Sequence, residues 1–74
     1  MLVPRERLEH KLVDLGYQFR GAERRKLRIL ERGQHRVQLN ADDGYLAPTA
    51  AAYHLRRAGL NEAEIDAFIR SAIS

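Results

Sequence analysis

GYQFRGAERRKLRILERGQHRVQLN, Gly16 to Asn40, is the stretch on which the fold turns. In it Tyr17 and Phe19 alternate with Gln18 and Arg20, Leu27 and Ile29 with Lys26 and Arg28, and Val37 and Leu39 with Arg36, Gln38 and Asn40. A period of two marks three strands, because successive side chains on a strand point to opposite faces. Gly21 to Arg25 supplies a polar connection between the first two, and Gly33-Gln34 a tight turn before the third. Connections this short join neighbours antiparallel, so the stretch predicts a three-stranded meander.

On either side the period changes. Leu8, Leu12 and Leu15 recur at helical spacing behind Pro4, so residues 4–15 read as a helix that Gly16 closes. Beyond the turn Ala41-Asp42-Asp43-Gly44, Pro48 and Thr49 open a second helix, with Ala50, Ala51, Ala52, Leu55 and Ala58 available for burial and Gly59 at its end. Asn61 caps a third helix with Glu64 as its capping-box partner, and Ile65, Phe68, Ile69, Ala72 and Ile73 form its apolar stripe. The order α-β-β-β-α-α predicts one α+β domain over residues 1–74, an antiparallel three-stranded sheet with helices on one face. A chain of 74 residues has room for one core. Domains near that size bury only about 60% of their unfolded surface, so a homodimer is a reasonable expectation.

If Tyr17, Phe19, Leu27, Ile29, Val37 and Leu39 face the helices, the other face displays Gln18, Arg20, Lys26, Arg28, Leu30, Arg36, Gln38 and Asn40. The charge count singles out the same region. Residues 20–36 hold seven basic side chains (Arg20, Arg24, Arg25, Lys26, Arg28, Arg32, Arg36) against Glu23 and Glu31, a net +5, whereas the whole chain has a net +3. A local positive field is the footprint of a polyanion partner, nucleic acid first and an acidic protein surface second. The candidate binding residues are therefore Arg20, Arg24, Arg25, Lys26, Arg28 and Arg36. Arg56, Arg57 and Arg70 lie among Glu62, Glu64 and Asp66, where acids offset them. The predicted sheet face has no aromatic side chain, which argues against base stacking on it.

Composition excludes much else. The chain has no cysteine, which removes disulfides, thiolate nucleophiles and cysteine zinc sites. Its longest apolar run, Tyr45 to Tyr53, falls well short of the roughly 20 residues of a membrane span, and nothing at the N-terminus reads as a signal region, so a cytoplasmic protein is expected. His35 and His54 have no partners at a metal-ligand spacing, and neither a metal nor another cofactor is expected. As lone histidines they read as turn-flanking and helix-surface residues before general acids or bases. Asp42 and Asp43 read as turn residues. There is no phosphate-cradling glycine loop, and Thr49, Ser71 and Ser74 have no base at a recognisable spacing.

The segment Leu46 to Leu60, with Pro48, Leu55, Ala58 and Gly59, opens a helix after Leu-x-Pro and closes it on Ala-Gly-Leu; Leu15-Gly16-Tyr17 leads into the first strand. In both respects, and over nearly its whole length, the chain resembles the HicA family of bacterial toxins, small ribonucleases with a fold like that of double-stranded-RNA-binding domains. The resemblance implies that fold and an affinity for RNA. It does not carry over the nuclease. The family's catalytic histidine, in a Gly-Ser-His-His stretch opening the second strand, falls on Arg24-Arg25-Lys26-Leu27 here. True double-stranded-RNA-binding domains also place lysines where this chain has Ala50 to Ala52. The resulting expectation is a non-catalytic HicA-like domain that binds nucleic acid, RNA before DNA, through a basic sheet face and loop. The alternatives are a module that binds an acidic protein, as a toxin-antitoxin relative or a phage-type inhibitor would, and a residual ribonuclease using His35.

Overall fold

A computed structural model describes residues 1–21 and 26–73. Val3–Pro4 (β1) leads into helix α1 (Arg5–Asp14), and the meander follows as β2 (Gln18–Gly21), β3 (Leu27–Arg32) and β4 (His35–Asn40). A short strand β5 (Tyr45–Leu46) precedes helices α2 (Pro48–Arg57) and α3 (Glu62–Ala72). The sheet is antiparallel in the order β2-β3-β4, and β5 returns to pair with β1 as a separate two-stranded ribbon. The α+β architecture is the one the alternation predicts. The ribbon is an addition, because two residues per strand are too few to show a period. Pro4 belongs to it and caps α1 from outside rather than starting the helix.

Each helix is fixed by a local device. α1 turns Leu8 and Leu12, four residues apart, fully into the core. It stops where Gly16 takes φ +98°, a conformation costly for a residue with a Cβ, and the Tyr17 amide then donates to the Leu12 carbonyl at 3.0 Å. At the end of α2, Gly59 at φ +103° lets the Leu60 amide reach back to the Leu55 carbonyl at 3.1 Å, which turns Leu60 into the core. α3 carries the full capping box. The Asn61 side chain accepts from the Glu64 amide at 2.8 Å, and the Glu64 carboxylate accepts from the Asn61 amide at 2.9 Å. The core joins Leu8 and Leu12 to Tyr17, Leu30, Val37 and Leu39 from below and to Ala51, Leu55, Ile65, Phe68 and Ala72 from the second helical pair. Among the described residues no helix is long and apolar enough to cross a membrane.

The parity expected of β3 is corrected. The two-residue turn sets Arg32 opposite His35, and hence Leu30 opposite Val37 and Arg28 opposite Leu39. Directly opposed residues share a face. Leu30, Arg28 and Arg32 therefore look toward the helices with Val37 and Leu39, while Leu27 and Ile29 lie opposite Asn40 and Gln38 on the outer face. Phe19 does share the helix side, opposite Leu30, but β2 is an edge strand and leaves it 47% exposed.

Candidate functional site

The basic side chains singled out in the sequence do not form one open cationic face. Arg28 points the other way. Its Nε donates to both oxygens of Glu9 at 3.0 and 2.8 Å, and its guanidinium lies 4.4 Å over the Phe19 ring. Arg20 and Arg36 do share the outer face, but both meet Glu31, at 3.3 and 2.8 Å. Lys26 reaches Asp42 at 3.2 Å. Arg24 and Arg25 lie outside the described residues. A phosphate approaching Arg20, Lys26 or Arg36 meets the negative charge of Glu31 or Asp42 beside them, which offsets their field.

A different cationic cluster forms where the β3–β4 turn meets the end of α2. Its first member is Arg32, on the helix side of β3. The guanidinium donates to the Leu15 carbonyl and to the Ala58 carbonyl, each at 2.9 Å, and lies 4.6 Å over the Tyr17 ring. Those carbonyls belong to the ends of α1 and α2, where helices leave acceptors without intrahelical partners and the helix dipole favours a cation. Directly across the turn, His35 sets its Nδ1 against the hydroxyl of buried Tyr17, with the two rings edge to face at 5.5 Å. When the hydroxyl donates to Nδ1, the neutral imidazole carries its proton on Nε2, a donor suited to a phosphate oxygen.

α2 completes the cluster with His54 and Arg57. Burial, then the positive charge of Arg57 and of Arg32, holds the His35 imidazole below its ordinary value of 6.5. Burial, then His35 and Arg57, lowers His54 in the same way. Lowered in this way, both imidazoles are mainly neutral at pH 7, and the fixed positive charge of the cluster is that of Arg32 and Arg57. Among the described residues, Arg32 and Arg57 have no carboxylate within ion-pair distance, whereas Arg56 pairs with Glu62 at 2.7 Å and Arg70 with Asp66 at 2.8 Å. The expectation that acids offset all three arginines of the second half holds for Arg56 and Arg70 and fails for Arg57. An open recess of about 340 Å³ beside the turn is bordered by Glu31, Gly33, Gln34, His35 and Arg36. Among the described residues, no group of three or more His, Cys, Asp or Glu side chains could hold a metal ion.

The histidines give the domain a pH response with a definite sign. Their folded-state values lie below 6.5, so between that value and the folded ones the unfolded chain binds more protons than the folded one. Folding stability from this source is complete above about pH 6.5 and is lost as pH falls through the window. Urea midpoints of the wild type are therefore expected to fall from pH 7.5 to pH 5.5. The drop should shrink in His35→Gln/His54→Gln, and an unchanged drop would place the titrating groups elsewhere.

His54 and Arg57 were not among the sequence candidates, because they stand on another element in a stretch of net negative charge. The available signal was local: Glu62 and Asp66 suffice for Arg56 and Arg70, which leaves Arg57 over. Comparison with known proteins adds no relative: no protein-family model matches the chain, and neither a curated protein nor a solved structure does.

Proposed function

We propose that the chain is a small HicA-like domain that binds nucleic acid, RNA before DNA, without cleaving it. The observation that supports this most is the pair Arg32 and Arg57, which among the described residues have no carboxylate within ion-pair distance, with the imidazoles of His35 and His54, both held below their ordinary value, beside them. Phosphate suits such a group, since it pairs with an unneutralised guanidinium, accepts hydrogen bonds from imidazole N–H groups and releases its own counterions on binding. Arg57 and the histidines are the groups left to meet it, because Arg32 is committed to two carbonyls. The HicA resemblance favours RNA, and Lys26 at the position of the family's catalytic histidine favours binding over hydrolysis.

The test is a titration of a short RNA at two salt concentrations. Arg57→Ala/His35→Ala is expected to weaken binding about tenfold and to flatten the salt slope by about one, because only Arg57 of the two carries charge at neutral pH. Arg20→Ala/Arg36→Ala, which removes cations already held by Glu31, is expected to cost no more than about threefold. Equal losses would return the site to the sheet face, and no binding by the wild type at low salt would favour an acidic protein partner. The nearness of two histidines favours one second reading, acid–base cleavage of RNA. Cleavage by the wild type that vanishes in His35→Ala would establish it in place of the first.

A further inference from the structure

We infer that Tyr53 is a stacking platform for an unpaired base, so that the RNA bound at the cationic cluster is single-stranded there. The inference rests on the nucleic-acid reading above and specifies its substrate. Tyr53 is 53% exposed on the solvent side of α2, while Ala51 and Leu55 on the same helix are fully buried. It belongs to the cluster through two contacts. Its ring meets His54 edge to face at 5.4 Å, and the Arg57 guanidinium, one turn along the helix, lies 5.6 Å from its centroid. An aromatic residue that has neither a core to fill nor a hydroxyl partner among the described residues is held in place by a histidine edge and a cation, with ring surface open to solvent.

That arrangement matches the geometry of a single strand. Proteins that bind unpaired nucleic acid combine cations that follow the backbone with aromatic rings on which bases stack, because every base has a π-face. In a duplex the bases already stack on one another, and their faces cannot reach a protein ring without being unstacked. Tyr45 is equally exposed but lies on the two-stranded ribbon, and exposed Phe19 neighbours Arg28, whose charge Glu9 already offsets. Of these, Tyr53 alone contacts an arginine with no carboxylate within ion-pair distance among the described residues.

A short unstructured oligouridylate and an RNA duplex of equal length, titrated against wild type, Tyr53→Ala and Tyr53→Phe, separate the possibilities. Tyr53→Ala is expected to weaken oligouridylate binding about tenfold while leaving its salt slope and the duplex affinity unchanged. Tyr53→Phe keeps the ring and should stay within about threefold of the wild type. Because the residue is exposed and alanine favours helix, unchanged thermal unfolding of both variants is expected alongside. If oligouridylate binds the wild type and Tyr53→Ala equally well, or if Tyr53→Phe loses as much as Tyr53→Ala, stacking is overturned while nucleic-acid binding stands. If neither RNA binds the wild type, both readings fall.

Discussion

Leu12→Ala is expected to lower the stability of the domain by about 3–4 kcal/mol, the range found when a leucine is cut back to alanine inside a core that cannot close over the gap. Leu12 has no exposed surface and packs within the cluster that unites α1, the sheet and the second helical pair. Its carbonyl also accepts from the amides of Leu15 and Tyr17 at 3.0 Å each, so the backbone around it is committed and cannot collapse inward. In a domain of this length each kcal/mol moves the melting temperature by about 4–8 °C, which makes the expected drop roughly 12–32 °C. Val13→Ala, one residue along and 50% exposed, is the control and should stay within about 0.5 kcal/mol. Similar losses for the two variants would mean that the helix is not seated as described.

The second large effect belongs to Glu9, the one buried charged residue among those described, at 7% exposure. Its carboxylate accepts from Arg5 at 2.6 Å and from Arg28 at 2.8 and 3.0 Å, tying α1 to the sheet. Removing one partner of a buried ionic group leaves the other charge without compensation at a cost of about 3–5 kcal/mol, and the partial exposure of Arg28 puts Glu9→Ala at the lower end, near 3 kcal/mol. Glu9→Gln keeps an acceptor and should cost about half as much. The pairing itself is measured by repeating Glu9→Ala in an Arg28→Met background. There the cost should drop by at least about 1 kcal/mol, and an unchanged cost would show that Arg28 and Glu9 are energetically independent.

Arg28 also shows where sequence reasoning about this chain succeeds and where it slips. The three strands, the three helices and the Asn61 capping box follow from periodicity and from residues whose backbone preferences are strong. The face assignment of β3 does not, because Leu27, Ile29 and Leu30 make the strand apolar on both parities. The turn resolves it. With only Gly33 and Gln34 between the strands, whatever faces the core at Val37 and Leu39 must do so at Leu30 and Arg28. An arginine on the inward parity then calls for a buried acid, and Glu9 sits one position from Leu8 on the apolar side of α1. The cationic cluster was less legible, since it gathers Arg32 and His35 from the hairpin with His54 and Arg57 from α2, and only packing brings these together. Regional charge sums also mislead here. They count Glu62 and Asp66 against Arg57, which neither of them reaches, and give no sign that Glu31 stands between Arg20 and Arg36.

Arg32 and His35 stand opposite each other across the shortest of turns, and each is already engaged, the one with two helix ends and the other with Tyr17. The loop between them can therefore change its spelling but not its length. One added residue would rotate one of the pair onto the outer face and leave either the helix carbonyls or the tyrosine without its partner. Exposed Gln34 is thus free to vary within a hairpin of fixed length, and a tag or grafted loop inserted there would break one of the two engagements while leaving the composition nearly intact.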